Sequence, residues 1–292
     1  GGGLDLGENR LDSSGKGLDL GEIKRKIEWK DYCVSETGVW YIPEFITSKA
    51  EKLLISRAYD NPKWVKLRNR RLQSVGADIT QNGSISETHL PLWLSQLSEI
   101  LEVSGAFSVP VNSDKGVRAN HVLINEYKSG QGIMAHKDGP SYYPCVCIIS
   151  LNSSILFHFY QTLHDAKSIN PSLQVLLEPG SLLVFSKDAY RNLFHGIPER
   201  NVDIILNPKL TLANYHHLSK CRKDKPNPVT TPTDTCASIS YGTCTPDRRK
   251  VDNVTCARTC TSSERNVDEI VVERKTRVSL TIRKVYERSA GS

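Results

Sequence analysis

Beyond residue 117 the chain is cut into short apolar or β-branched runs, at 121–127, 145–151, 155–160, 173–177, 181–185 and 277–286. Turn-forming pairs separate them, among them Ser129-Gly130, Gly139-Pro140, Asn152-Ser153 and Pro179-Gly180. Such runs are long enough for strands and short for helices, and strands at this spacing build a sandwich or barrel. Upstream the period changes. Val39-Trp40-Tyr41-Ile42 has strand composition. Ser48 and Glu51 have the form of a capping box, opening a helix with Leu53, Leu54 and Arg57. From Pro91 to about Val103, the residues Leu94, Leu97, Ile100 and Leu101 share one helical face, with Pro91 suited to the first turn. Helices first and strands after give an α+β class with a β core.

Two segments stand outside this pattern. Residues 1–28 are rich in Gly, Asp and Leu, and the hexapeptide Gly-Leu-Asp-Leu-Gly-Glu occurs at 3–8 and again at 17–22. With so little apolar content this stretch is expected to be a disordered tail. Residues 198–266 are rich in Thr, Ser, Pro, Asn and Lys and hold five of the eight cysteines. They read as a long flexible insertion. What remains of 29–292 reads as one domain, with helices and a basic segment over 29–116 and the β core over 117–197 and 267–288. The insertion's Cys236, Cys244, Cys256 and Cys260 could hold zinc, although their spacings match no common finger. Otherwise they are dispensable loop thiols. Cys145 and Cys147 share a strand face, and with Cys33 they read as packing residues.

The formal net charge of +6 suits an anionic partner such as nucleic acid, and equally a protein that binds nothing anionic. No run of roughly 18 apolar residues is present, so no membrane-spanning helix is expected. The first thirty residues lack an apolar signal-peptide core. The cysteines are therefore expected to be reduced.

His136-Lys137-Asp138 carries the clearest chemistry. In extended backbone, positions i and i+2 point to the same side, so the imidazole and the carboxylate can face one metal while Lys137 points away. Two histidines and one carboxylate on one face leave positions open, as non-haem Fe(II) oxygenases require. His195, after the run 181–185 and before Gly196, is the best placed third ligand. The rival reading is a pair of polar residues in a surface loop. Further on, Arg277-Val-Ser-Leu-Thr-Ile-Arg283 alternates fully. Val278, Leu280 and Ile282 take one face, and Arg277, Ser279, Thr281 and Arg283 the other. Two guanidinium groups inside a barrel are costly unless an anion joins them, and a dicarboxylate would do so bidentately. On a half-exposed strand the same arginines would simply be solvated.

The order Asn125-x-Tyr127, His136-x-Asp138, His195 and Arg277-x-Ser-x-Thr-x-Arg283 resembles the AlkB family of 2-oxoglutarate dioxygenases. The stretches 119–127, 132–140, 142–144, 177–179, 193–196 and 276–283 carry the resemblance, which runs from about Trp40 to Tyr286 outside the insertion. It implies a double-stranded β-helix, or jelly roll. It implies Fe(II) held by His136, Asp138 and His195, with 2-oxoglutarate and O2 as co-substrates. Arg277 would take the distal carboxylate of 2-oxoglutarate, and Asn125, Tyr127, Ser279 and Arg283 would complete that pocket. Several relatives have an asparagine where this chain has Ser279, which keeps a hydrogen bond at shorter reach. The implied reaction is oxidative demethylation of alkylated bases in single-stranded RNA or DNA, releasing formaldehyde, succinate and CO2.

The substrate side points to Lys63, Trp64, Lys66, Arg68, Arg70 and Arg71, five cations and an aromatic ring. Phosphates attract the cations and an unstacked base the ring. The segment resembles the family's nucleotide-recognition lid, and a base must leave the duplex to reach a buried centre. It could equally be a solvated basic loop with Trp64 in the core. Tyr142 and Tyr143 could line the substrate mouth or pack beneath the next strand. Two alternatives stay open: a dioxygenase acting on a protein or small molecule, and a nucleic-acid-binding relative with little turnover. The expected state is a monomer in nucleus and cytoplasm, partnered by unpaired RNA or DNA and by no membrane.

Overall fold

A computed structural model describes residues 27–79, 84–86, 88–109, 116–219 and 268–286. The upstream strands are β1 (Cys33–Ser35), β2 (Val39–Ile42), β3 (Val65–Lys66), β4 (Arg71–Gly76), β5 (Asp78–Ile79) and β6 (Ile85–Ser86). The core adds β7 (His121–Tyr127), β8 (Ile133–His136), β9 (Cys145–Leu151), β10 (Ile155–Tyr160), β11 (Leu173–Leu177), β12 (Leu182–Ser186) and β13 (Phe194–Ile197). Last come β14 (Val202–Leu206), β15 (Glu269–Glu273) and β16 (Arg277–Arg283). A major sheet has the order β1-β2-β12-β9-β16-β7-β4-β3, and a minor sheet the order β11-β10-β13-β8. All pairings within them are antiparallel. This is the α+β jelly roll expected. No helix among the described residues is long and apolar enough to cross a membrane.

Strand periodicity sets the layers, because alternate side chains leave opposite faces of each sheet. Val146, Ile148, Leu183 and Phe185 of the major sheet meet Ile155, Phe157, Phe159, Val175 and Leu177 of the minor one. The outer face of the major sheet, with Cys147, Ile149, Val184, Val278, Leu280 and Ile282, lies under the helices α1 (Ser48–Asp60) and α2 (Leu92–Val103). Leu54, Leu94, Leu97 and Leu101 from those helices are fully buried there, each contributing about 1.5–3 kcal/mol. The helix cap is Thr47, whose hydroxyl accepts from the Ala50 amide, so the start falls one residue before the expected Ser48. Pro91 stands at the N-cap of α2 and not inside its first turn.

The insertion expected from 198 does not begin there. Residues 202–219 fold as β14, the short helix α3 (Pro208–Thr211) and a 3-10 turn over Tyr215–His217, and β14 pairs with β15. Ile205, Leu212, Leu218 and Val272 pack on Leu156 and Leu176, which point outward from the minor sheet. Asp203, fully buried, takes a bidentate pair from Arg274 and a third bond from Arg200. Asn214 bonds the Leu176 backbone with both ends of its amide. Residues 220–267, including the zinc candidates Cys236, Cys244, Cys256 and Cys260, lie outside the described residues, as do residues 1–26 of the expected tail. Ile27, assigned to that tail, packs against the outer core. Cys145 and Cys147 are buried as expected, but Cys33 is exposed because it opens the edge strand β1.

Candidate metal and co-substrate site

His136 ends β8 and His195 lies in β13, and the two are direct cross-strand partners. Opposed residues on neighbouring strands point to the same face, which sets the rings side by side, with centroids 4.4 Å apart. Gly196 allows the approach, because a Cβ there would fall about 3.0 Å from the Ala135 backbone. Asp138 follows two residues after His136, and one ligand atom from each of His136, Asp138 and His195 lies within 4.8 Å of the others. The His136 Nδ1 is 2.9 Å from the Met134 carbonyl oxygen, which can only accept. Nδ1 is therefore the donor of that bond, which leaves Nε2 as the atom available to a metal. Phe157 stacks on the His195 ring and Phe185 tilts against it, which holds the imidazole in place.

Burial lowers the His195 imidazole to about 3, although Asp138 opposes the shift. His195 is thus neutral at ordinary pH, and its 3.6 Å approach to the Asp138 carboxylate is not an ion pair. Burial alone would raise the Asp138 carboxyl, but nearby charge, that of Arg283 above all, holds it below the usual carboxylate range. Two imidazoles and a carboxylate are a donor set that suits Fe(II). His195 Nδ1 is buried with no hydrogen-bond partner.

The floor of the site is β16, held between β9 and β7. Arg277, Ser279, Thr281 and Arg283 face a cavity also lined by Asn125, Tyr127, His136, Asp138 and His195. The register explains the grouping: Arg277 lies opposite Tyr127, and Ser279 opposite Asn125. Arg277 is only 2 % exposed and makes one hydrogen bond, to Ser150 Oγ at 2.8 Å. Its Nε has no partner, and no carboxylate among the described residues pairs with it. Burial pulls its pKa down to about 10, so it stays charged at neutral pH. A buried, cationic, half-satisfied guanidinium fits an anion such as the carboxylate of 2-oxoglutarate. Arg283 differs. It donates to the Asp138 carboxylate and lies 4.1 Å from the Tyr142 ring centroid, although its Nε too is buried without a partner. Ser150 went unnoticed in the sequence. Its signal was there, since Val146, Ile148 and Ser150 share the cavity face of β9 and only the last is polar.

The basic segment divides. β3 and β4 form a hairpin whose turn closes from the Leu67 amide to the Arg70 carbonyl. Lys63, Lys66 and Arg68 are exposed on it. Arg71 is committed elsewhere. It makes a bidentate pair with the buried Glu126 carboxylate, and its guanidinium sits 4.5 Å from the Trp64 ring centroid. Tyr59 also donates to Glu126. Trp64 is half-buried, packed on the outer core with Arg71 against its ring, which matches the alternative reading of a core tryptophan. Arg70 turns inward, donating from Nε to Asn125 Oδ1 at 3.1 Å. Tyr142 stands beside Arg283 and His121 at the site, whereas Tyr143 packs on the outer core.

The family described as the 2OG-Fe(II) oxygenase superfamily matches residues 38–283. The chain is 38% identical over 185 residues to a protein of Danio rerio named probable RNA/DNA demethylase ALKBH6, covering 60% of this chain and 76% of that one. It is 26% identical over 184 residues to the alkylated DNA repair protein ALKBH8 homolog of Arabidopsis thaliana, covering 57% of this chain and 52% of the other. The solved structure of OsALKBH1 matches with a TM-score of 0.47 at 15% identity, covering 85% of this chain and 96% of that one.

Proposed function

The chain belongs to the 2OG-Fe(II) oxygenase superfamily, and on that premise we propose that it is an oxidative demethylase of alkylated bases in single-stranded RNA or DNA. As a dioxygenase of this superfamily it uses Fe(II), 2-oxoglutarate and O2. In the proposed arrangement His136, Asp138 and His195 hold the iron, and Arg277 grips the distal carboxylate of 2-oxoglutarate. Asn125, Tyr127 and Ser279 line the same pocket. The bound groups supply oxidation of an N-methyl carbon, coupled to conversion of 2-oxoglutarate to succinate and CO2, and the oxidised carbon leaves as formaldehyde.

The protein's own residues bind, orient and exclude water. Arg277 and Ser150 fix one end of the dicarboxylate in a dry pocket, where a charge-assisted bond is strongest. Arg283 orients the Asp138 carboxylate through the oxygen other than the one nearest His195 and is itself braced on Tyr142. Phe157 and Phe185 wall the site against solvent. One observation supports a polynucleotide over a small substrate: the hairpin that carries exposed Lys63, Lys66 and Arg68 also sends Arg70 to the pocket residue Asn125. A basic rim this near the site suits a phosphate backbone. The test is succinate formation with Fe(II), with and without methylated single-stranded RNA and DNA. Stimulation by one polymer, with formaldehyde released in step, is expected. Turnover that ignores both would leave the dioxygenase and remove the nucleic-acid substrate.

A further inference from the structure

Asn125 and Glu126 are consecutive on β7, so their side chains leave opposite faces of the major sheet. Arg70 ends the hairpin turn and Arg71 opens β4, and their side chains split in the same way. Arg71 meets Glu126 on the outer face. Arg70 meets Asn125 on the cavity face. The first contact joins opposite charges and has a plain structural meaning. The second joins a cation to a neutral amide, and it has a chemical consequence.

A guanidinium has donors only, so the atom of Asn125 that faces it must be the carbonyl oxygen. The Asn125 amino group is thereby turned away from Arg70. Were the carboxamide free to flip, it would present the pocket with an acceptor as often as a donor, and an acceptor repels a carboxylate. The buried Arg277 beside it offers donors to the same cavity. The turn that delivers Arg70 is itself held, because Asn69 donates to Glu199 in the loop after β13. We propose that Arg70 is a positioning residue for the co-substrate: by holding Asn125 Oδ1, it keeps the Asn125 amino group presented as a donor to a 2-oxoglutarate carboxylate. Arg70 thus acts through Asn125 and not as a phosphate ligand of the basic rim. This rests on the co-substrate pocket proposed above.

A double-mutant cycle tests it. The affinity for 2-oxoglutarate is measured by calorimetry on full-length protein loaded with redox-inert Mn(II) under anaerobic conditions. The chains compared are wild type, Arg70→Ala, Asn125→Ala and the pair together. Losing a charge-assisted hydrogen bond that orders a ligand-binding group should weaken binding about tenfold. Asn125→Ala should weaken it at least as much, and the double variant should be no worse than Asn125→Ala alone. If Arg70→Ala also weakens binding in the Asn125→Ala background, Arg70 only supports the hairpin and the proposal fails. It fails too if Arg70→Ala leaves 2-oxoglutarate affinity intact and weakens only a single-stranded oligonucleotide. A wild-type chain that binds no 2-oxoglutarate would instead remove the pocket reading itself, which separates the two failures.

Discussion

Arg277 and Arg71 each reach into the protein, and they meet opposite fates. Arg71 finds a carboxylate on the next strand, a phenol beside it and an indole face beneath it. Every charge in that cluster is answered from within the chain. Arg277 is more deeply buried and finds one hydroxyl and the Tyr127 ring, 5.7 Å away, but no carboxylate. Evolution seldom leaves a cation in that state without a ligand, because desolvation costs several kcal/mol per ion. A satisfied charge is architecture, and an unsatisfied buried charge marks where something outside the chain belongs. The same contrast separates Asp203, enclosed by Arg200 and Arg274, from Asp138, which shares one arginine and faces two imidazoles.

The contrast can be broken at both ends. The largest effect is expected at Asp138. Asp138→Ala should reduce 2-oxoglutarate decarboxylation by about a thousandfold or more, since it removes a metal ligand, while far-ultraviolet dichroism stays that of the folded chain. Retained decarboxylation would overturn the metal assignment. Next is Arg277→Met, a substitution of similar volume. It should weaken 2-oxoglutarate binding by about a hundredfold, yet leave the ligand-free protein as stable as wild type or more stable by about 1 kcal/mol in urea, because an underpaired buried charge has gone. A large loss of ligand-free stability would show that Arg277 is architecture after all.

Glu126→Gln should do the reverse: little change in 2-oxoglutarate affinity, and a loss of about 2 kcal/mol in stability. The sign of its pH dependence is set by the Glu126 carboxyl. Burial would raise it, but Arg71 and Tyr59 outweigh burial and hold it below the ordinary range. A depressed folded pKa stabilises above the unfolded value of about 4.3 and stops doing so as pH falls through the lower folded value. The gap in urea midpoint between wild type and Glu126→Gln should therefore be full at pH 7 and shrink toward pH 3. A gap that widens on acidification would contradict this. The smallest effect is expected for Lys63→Ser, Lys66→Ser and Arg68→Ser combined. Oligonucleotide affinity should fall about tenfold at low salt with a shallower salt dependence, and 2-oxoglutarate affinity should stay unchanged. An unaltered salt slope would take the hairpin out of the nucleic-acid interface.

Strand alternation made much of the site legible in the sequence. The face shared by Arg277, Ser279, Thr281 and Arg283 needs only a period of two, and the i, i+2 spacing of His136 and Asp138 needs the same. What alternation cannot supply is the partner across the sheet. Trp64 and Arg71 look like a nucleic-acid platform in one dimension, because a cation near an aromatic ring serves stacking on a base and stacking on itself equally well. The deciding residue, Glu126, lies 55 positions away. The ribbon of β14 and β15 was hidden for a related reason. Its outward face carries Val202, Ile204 and Leu206, while its inward face buries Asp203, so its polarity runs against the usual strand pattern. Arg274, which makes that burial tolerable, lies 71 positions away.

The cross-strand pairing of His136 with His195 ties the candidate metal site to strand alignment. A slip of one residue between β8 and β13 would turn His195 to the far side of the minor sheet and bring Phe194 or Gly196 opposite His136. Such a misaligned sheet would also turn Ile197 out of the inner core. It could not assemble the two imidazoles and the carboxylate. A metal held by the proposed set of His136, Asp138 and His195 would therefore favour the aligned sheet over the slipped one.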